Sequence, residues 1–224
     1  MKAAIFDFDG VFTGESSAVK YMKYLTKSGA FRKDSLLKIQ ETLERYFDGN
    51  LSYQETNDIT GNEWLNGIKG KKKKKLNKLA EEFVENFEYD KRGKEVIDYY
   101  NDRGFLTILM SSSPIEIIEP IAANLDAQKA VAASVKVEDG KYVKEYEIAM
   151  AGENRKAEYI RNNLDHISLA DSYGFGDSPH DLSFLEIVGN PIVISPTDEM
   201  KKIAEKKDWT FYKDLGAYLE VLKE

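Results

Sequence analysis

The order of short apolar runs and helical segments from about residue 91 onward constrains the fold of this chain most. The apolar runs are 105–110, 167–175 and 191–195, and the helical segments are 94–100, 115–124, 155–164 and 181–187, with a final strand and helix from Trp209. Strands that alternate with helices form a mainly parallel sheet with helices on both faces. We therefore expect an α/β fold with a doubly wound, mainly parallel, Rossmann-like sheet.

One antiparallel hairpin is expected within this pattern. Residues 131–148 alternate between apolar and polar side chains, and Asp139 and Gly140 lie between two strand-like runs. Asp-Gly in such a position is a strong signal for a two-residue hairpin turn.

The first ninety residues hold one strand and then only helical patterns. Residues 2–6 form an apolar run that ends at Asp7. Apolar side chains then recur at helical spacing, at Leu36, Ile39, Leu43, Tyr46 and Phe47 and again at Leu76, Leu79, Phe83 and Phe87. Glycines that we expect to separate the helices stand at positions 49, 61, 67 and 70. We predict a small helical domain over 15–90, inserted into a core formed by 1–14 and 91–224.

Composition excludes several classes of site and partner. The chain has 224 residues and no cysteine, which excludes disulfides, thiolate zinc sites and cysteine nucleophiles. Its formal net charge is −7, so it lacks the positive footprint that nucleic-acid binding needs. No stretch approaches the roughly 18 apolar residues of a membrane span, and the N-terminus becomes acidic too soon for a signal peptide. We expect a cytoplasmic protein that binds neither nucleic acid nor membrane.

Polar side chains occupy the carboxyl ends of the predicted strands, where ligands bind in such sheets. These side chains are Asp7, Asp9, Ser111, Lys156, Asp177 and Asp181. Asp7 and Asp9 are two residues apart and start on the same side of a strand end. Several carboxylates without cysteine or paired histidines suit a hard ion, Mg²⁺ before Zn²⁺. Ser111 at a strand-to-helix turn can cradle a phosphate, and Lys156 adds a positive charge that can hold a phosphoryl group.

In these positions the chain resembles the haloacid dehalogenase superfamily over nearly its whole length. Four family motifs occur in order: Asp7-Phe8-Asp9-Gly10-Val11, Leu109-Met110-Ser111, Lys156, and Gly176-Asp177-Ser178-Pro179-His180-Asp181. The resemblance implies that Asp7 is a nucleophile that becomes an aspartyl phosphate. It implies that Asp9 protonates the leaving group and later activates water.

The same resemblance implies the remaining site residues. Asp7, the backbone carbonyl of Asp9 and Asp177 would hold Mg²⁺, with Asp181 in direct or indirect support. Ser111 and Lys156 would bind the phosphoryl oxygens, and Gly10 and Ser112 would lie beside them. The presence of Asp9 favours phosphatases and phosphomutases over dehalogenases and transport ATPases.

The helical insert looks like the cap of the subgroup that includes phosphoserine phosphatase, which implies a small phosphate monoester as substrate. Gly10-Val11 and Ser112-Ser113-Pro114 differ from the residues of that enzyme, so phosphoserine is one candidate among several. Glu15 is a candidate acid for binding an amino-acid substrate, and a solvated loop glutamate is the alternative. Ser112 and Ser113 line the site or cap a helix in this interpretation.

Three alternatives stay open at this point. A phosphomutase would use Asp7 and Asp9 but return the phosphoryl group to its substrate. A non-catalytic phosphate-binding or regulatory module would keep the fold without the chemistry. The run from Lys71 to Lys75 is typical of a solvated helix face, with a role in attracting anions as the other interpretation.

Overall fold

A seven-stranded sheet forms the centre of the protein in a computed structural model that describes all residues 1–224. The strands are β1 Ala3–Phe6, β2 Leu106–Pro114, β3 Lys129–Glu138, β4 Lys141–Ile148, β5 Tyr173–Gly176, β6 Asn190–Ile194 and β7 Thr210–Tyr212. Their order in the sheet is β4-β3-β2-β1-β5-β6-β7, and only the pair β3–β4 is antiparallel. The predicted fold class is confirmed, and so is the hairpin at Asp139 and Gly140.

Ten helices surround the sheet. They are α1 Ser17–Lys27, α2 Lys33–Phe47, α3 Tyr53–Ile68, α4 Lys73–Asn86, α5 Gly93–Asn101, α6 Ile115–Asn124, α7 Arg155–Asn163, α8 Leu182–Leu185, α9 Asp198–Lys207 and α10 Leu215–Leu222. Side chains of β1 alternate between two apolar clusters, because successive residues of a strand face opposite sides. Ala4 and Phe6 belong to one cluster, and Ala3 and Ile5 to the other. The sheet is therefore the middle layer of three.

The register of β1 determines which residues meet beyond its carboxyl end. Its four residues are fully buried, as expected for a strand that is covered on both faces. Phe6 pairs with Leu109 of β2 on one side and with Phe175 of β5 on the other. Asp7 directly follows Phe6, Ser111 lies two residues after Leu109 within β2, and Asp177 lies two residues after Phe175, just beyond β5. These polar residues therefore lie near the same edge of the sheet.

Between β1 and α5 the chain forms only helices, α1 to α4. The start of α3 has a capping box, in which the Ser52 hydroxyl accepts from the Glu55 backbone N–H and the Glu55 carboxylate accepts from the Ser52 backbone N–H. Buried side chains of these helices, such as Tyr21 and Leu25, belong to the same apolar cluster as Phe6. The inserted helices and one face of the sheet therefore share a hydrophobic core.

The prediction that glycines separate these helices is right at two positions and wrong at two. Gly49 and Gly70 follow α2 and α3 with φ of +74° and +76°. Gly61 and Gly67 lie inside α3. A Cβ at Gly67 would lie 2.0 Å from the Phe31 ring, so close packing, and not a helix end, explains that glycine.

The structure corrects the sequence prediction at two further elements. The strand expected over 167–175 begins only at Tyr173, because a 3₁₀ turn occupies Leu169–Asp171. Helix α9 was not predicted, since only Met200 and Ala204 are buried on this highly charged segment. The Thr197 hydroxyl caps it by accepting from the Met200 backbone N–H.

The lysine run joins the inserted helices to the hairpin through its backbone. Backbone N–H groups of Gly70 and Lys73 donate to the carbonyls of Tyr142 and Gly140, at 2.8 and 3.0 Å, and the Tyr142 N–H donates to Lys71 at 3.0 Å. Side chains of Lys72 to Lys75 are exposed. Among the ten helices, none combines the length and the apolar character that crossing a membrane requires.

Candidate active site

Asp7 and Lys156 form a buried ion pair at the carboxyl end of β1. Lys156, in the first turn of α7, places its Nζ 2.5 Å from Oδ1 of Asp7 and 2.7 Å from Oδ1 of Asp181. Asp7 is 6% exposed, Lys156 7% and Asp181 1%. Two of the carboxylates predicted from sequence and the predicted lysine therefore meet in one place, although 174 positions separate Asp7 from Asp181.

Asp177 and Asp181 belong to the turn that follows β5. The Asp181 carboxylate accepts the Asp177 backbone N–H at 3.1 Å, which fixes the turn between them. Asp177 also accepts the Thr197 backbone N–H at its carbonyl, at 3.1 Å. Residues Pro179–Asp181 form one 3₁₀ turn and α8 follows directly.

Two glycines of the site are required by close approach. A Cβ at Gly10 would lie 2.1 Å from Cγ of Asp177, and Gly10 has a φ of +90° that L side chains rarely adopt. A Cβ at Gly176 would lie 2.6 Å from Cβ of Asp181. Both residues leave room for a carboxylate, which gives a physical reason for glycine at each position.

One cluster of carboxylates could hold a metal ion. Asp7, Asp177 and Asp181 each offer an oxygen, and these oxygens lie within 4.8 Å of one another. Burial raises the pKa of Asp7 well above its ordinary value, and the charges of Asp181 and Asp177 raise it further against the effect of Lys156. Burial and the Asp181 charge raise the pKa of Asp177 to about 8. Concentrated negative charge on oxygen ligands is what a hard divalent cation neutralises.

Lys156 places one positive charge in contact with two carboxylates of this cluster, Asp7 and Asp181. Burial alone would lower its pKa, but the charges of Asp181 and Asp7 and their hydrogen bonds raise the pKa overall. The side chain therefore stays protonated throughout the physiological pH range.

Asp9 lies in a separate polar environment built by two serines. Its Oδ1 accepts the Ser17 backbone N–H at 2.7 Å, and its Oδ2 accepts the Ser113 hydroxyl at 2.7 Å and the Ser17 hydroxyl at 3.0 Å. Burial raises the pKa of Asp9, while these hydrogen bonds from Ser113 and Ser17 lower it. The carboxyl group is thus held in one orientation and shifted toward its protonated form.

The three consecutive serines have different partners. Ser111, which is 1% exposed, accepts the Ser113 backbone N–H at 3.0 Å. The Ser112 hydroxyl instead donates to the Met150 carbonyl at 3.0 Å. Ser113 was expected to line the site or cap a helix, and it donates to Asp9, a contact that was not predicted. Alternation along a strand could have found it, since residues two apart face the same side and Ser112 faces the other.

Glu15 is not brought into this cluster. Its side chain is 61% exposed and pairs with Lys20 on the surface. No signal in the sequence pointed to Ser17, because its contact with Asp9 depends on the path of the loop between them.

Helix α3 reaches the loop that carries Asp177 and Asp181. The ring of Tyr53 stacks on the His180 ring, with centroids 3.6 Å apart and planes inclined by 12°. The Tyr46 hydroxyl lies 3.3 Å from Nε2 of His180. These aromatic residues are not among the site residues predicted from the sequence.

Several known proteins are similar to this chain in sequence or in fold. Phosphoserine phosphatase SerB1 of Mycobacterium tuberculosis (strain H37Rv) is 23% identical over 214 residues, which cover 92% of this chain and 69% of that protein. A protein of unknown function from Bordetella pertussis Tohama I has a similar structure, with a TM-score of 0.81 and 22% identity over 96% of this chain and 98% of the other. A phospho-aspartyl intermediate analogue of phosphoserine phosphatase gives a TM-score of 0.69 and 19% identity, over 99% of this chain and 97% of that one.

The family itself is identified by a sequence model. The model for haloacid dehalogenase-like hydrolases matches residues 4–186, a range that starts within β1 and includes all the acids of the site. The superfamily resemblance is thereby confirmed, and the chain belongs to the haloacid dehalogenase-like hydrolases.

Proposed function

We propose that this hydrolase is an Mg²⁺-dependent phosphatase that cleaves small phosphate monoesters through a phospho-aspartyl intermediate on Asp7. The observation that carries the proposal is the buried cluster in which Lys156 contacts Asp7 and Asp181 while Asp9 lies nearby in its own hydrogen-bonded pocket. A nucleophile, a cation for the phosphoryl oxygens and a separate proton carrier are the groups that this chemistry needs.

The first step transfers the phosphoryl group to the enzyme. A carboxylate oxygen of Asp7 attacks phosphorus, and the bond between phosphorus and the leaving oxygen breaks. Asp9 donates its proton to that oxygen, a role supported by the burial that raises its pKa. The ammonium group of Lys156 and the Ser111 hydroxyl hold the phosphoryl oxygens, with Gly10 beside them. Ser112 has no role in this step, because its hydroxyl donates to the Met150 carbonyl.

The second step returns the enzyme to its initial state. Asp9, now a carboxylate, takes a proton from water, and the water oxygen attacks phosphorus. The bond between phosphorus and Asp7 breaks, which releases inorganic phosphate and restores the Asp7 carboxylate. Because Asp9 ends the cycle protonated, no further acid or base is needed.

Asp7, Asp177 and Asp181, together with the backbone carbonyl of Asp9, are the proposed ligands for Mg²⁺. An oxygen-only set with several carboxylates fits this ion. When bound, Mg²⁺ supplies positive charge that offsets the clustered carboxylates and the phosphoryl group.

Residues 15–90 act in this proposal as a cap domain over a core formed by 1–14 and 91–224. The substrate is a small phosphate monoester of the kind that phosphoserine phosphatases cleave, as the names of similar proteins suggest. Glu15 is exposed and contacts Lys20, so we give it no role in phosphate transfer. The proposed partners include neither nucleic acid nor membrane, and the proposed location is the cytoplasm.

The decisive experiment measures phosphate release from p-nitrophenyl phosphate and a panel of metabolite monoesters, with and without Mg²⁺. Asp7→Asn keeps the size of the side chain but removes the nucleophilic charge, so we expect kcat to fall by at least about 10³-fold. Asp165→Asn is the matched control, since the Asp165 side chain is 91% exposed. It should keep wild-type activity.

Three results would contradict the proposal. Turnover that survives in Asp7→Asn would exclude this nucleophile. An isomerised product without released phosphate would identify a phosphomutase. If the wild type turned over no ester of the panel, a non-catalytic binding module would be favoured.

A further inference from the structure

The stack between Tyr53 and His180 connects the inserted helices to the loop that bears the candidate metal ligands. Tyr53 is the first residue of α3, and His180 directly precedes Asp181. Their ring centroids are 3.6 Å apart, and the Tyr46 hydroxyl at the end of α2 contacts His180 from a second direction. Helices α2 and α3 therefore both contact His180, in the loop that carries Asp177 and Asp181.

Other contacts of α3 involve strand β4 and the loop before α7. The Tyr146 hydroxyl of β4 donates to the Gly61 carbonyl at 3.2 Å. Gln54 lies close to the loop before α7, with its Oε1 3.4 Å from a Cβ placed at Gly152. Helix α3 thus spans the gap between the loop of Asp181 and the segment that leads to Lys156.

The Tyr53 hydroxyl also lies close enough to the reacting groups to be influenced by their charges. Burial raises the pKa of Tyr53, a hydrogen bond with Asn57 and the charge of Lys156 oppose this shift, and the charges of Asp181 and Asp7 raise the pKa further. Because Tyr53 stacks on His180, which directly precedes Asp181, its side chain lies beside the loop of the candidate metal ligands.

We propose that Tyr53 and His180 form a latch that closes the cap over Asp7 and limits the size of the leaving group. This inference rests on the proposed phosphatase activity. In the closed state the rings are in contact, so a leaving group must fit beneath them or separate them. A small ester can bind while the two rings stay stacked, whereas binding of a bulky ester separates them and removes the stacking energy. Tyr53 is in this sense a specificity-determining residue, and His180 positions it.

The test compares the wild type with variants that keep or remove the stacked ring. Tyr53→Phe keeps the ring, and Tyr53→Leu removes it while retaining an apolar side chain of moderate size. His180→Gln removes the ring from the other side of the contact. Phe47→Leu is the matched control, because Phe47 is 80% exposed and contacts Tyr46 but is not stacked on His180.

The activity measurement is kcat/KM for a bulky ester, 1-naphthyl phosphate, relative to that for a small one, glycerol 2-phosphate. An aromatic pair changes an equilibrium by about 2- to 12-fold beyond its buried area. We expect this ratio to rise by about that factor in Tyr53→Leu and in His180→Gln. It should stay within about twofold of wild type in Tyr53→Phe and Phe47→Leu. A merely structural loss would lower both values together and leave the ratio unchanged, which would overturn the latch.

Hydrogen–deuterium exchange of the free protein supplies a measurement that does not depend on activity. Backbone amides at the start of α3 and in the loop around His180 should exchange faster in Tyr53→Leu, and those of α9 should not. If the wild type releases no phosphate, the proposed function is wrong. The exchange rates then test on their own whether the stack holds the cap closed. Unchanged exchange in both segments would contradict it.

Discussion

The ammonium nitrogen of Lys156 lies 2.5 Å from a carboxylate oxygen of Asp7, and both side chains are buried. The same nitrogen contacts Asp181 at 2.7 Å, and an oxygen of Asp177 lies within 4.8 Å of oxygens of both other carboxylates. Charge in this part of the protein is therefore unbalanced toward the negative. Burial raises the pKa values of Asp7 and Asp177, the charge of Asp181 raises them further, and Lys156 opposes both effects.

Replacing Lys156 with Met should destabilise the protein strongly. Removing one partner of a buried ion pair leaves an uncompensated charge and costs about 3–5 kcal/mol. Lys207→Met is the control, since Lys207 forms a more exposed pair with Glu186 at 2.7 Å and should lose only about 0–1 kcal/mol. Urea unfolding at neutral pH without Mg²⁺ measures both losses. Similar small losses in the two variants would show that the carboxylates do not depend on Lys156.

A methyl group at Gly10 should weaken metal binding more than it weakens the fold. Gly10 and Gly104 both have positive φ, +90° and +73°, but only the Cβ at Gly10 would meet another group, the Asp177 carboxyl. Gly104→Ala should therefore cost about 1–2 kcal/mol of unfolding free energy through backbone strain alone. Gly10→Ala should in addition displace Asp177 and raise the Mg²⁺ concentration for half-maximal phosphate release. An equal Mg²⁺ requirement in both variants would argue against Asp177 as a ligand.

Sequence reasoning located these groups because each follows a strand that is buried and strongly apolar. The four residues of β1 have no exposed surface, so the run that ends at Asp7 could only be an internal strand. Parallel strands place their carboxyl ends together, which is why Asp7 and Asp177 could be assigned to one edge before the register was known. The order of apolar runs and the polar residues that follow them is therefore sufficient to predict which side chains share this edge.

Contacts between separate loops could not be predicted in the same way. Ser17 contacts Asp9 because the intervening loop turns back, and Tyr53 at the start of α3 stacks on His180, which is 127 positions away in the sequence. Gly67 was misassigned as a helix end because its reason, the Phe31 ring, is distant in sequence. These contacts join residues that are distant in sequence, and local propensity does not predict such contacts.

Removing the Ser113 hydroxyl should raise the pKa of Asp9 further. Hydrogen bonds from Ser113 and Ser17 favour the carboxylate and so oppose the effect of burial. If protonated Asp9 is needed for the first step, activity falls as pH rises through its pKa. The alkaline limb of the kcat/KM profile should therefore move to higher pH in Ser113→Ala. Ser112→Ala is the control, because its hydroxyl contacts Met150 instead, and a limb that moves equally in both would refute the assignment to Asp9.

The Glu116 carboxyl group is buried outside the cluster of Asp7, Asp177 and Asp181. Glu116, in the first turn of α6, is 8% exposed, and its Oε1 accepts the Tyr142 hydroxyl at 2.6 Å. Burial raises its pKa above the ordinary value of 4.5, and the Tyr142 hydrogen bond only partly offsets this shift. The folded state therefore binds the proton more tightly than the unfolded state does.

Glu116→Gln should consequently become more stable relative to the wild type as pH rises. A raised folded pKa contributes stability that is present below 4.5 and is lost as pH increases through the folded value. Glutamine keeps the acceptor for Tyr142 but has no proton to lose, so its unfolding free energy lacks this decline. Urea unfolding of both proteins at several pH values from about 4 to 7, with exposed Glu41→Gln as control, measures the difference. A difference that does not vary with pH in Glu116→Gln would mean that the Glu116 pKa is the same in the folded and unfolded states.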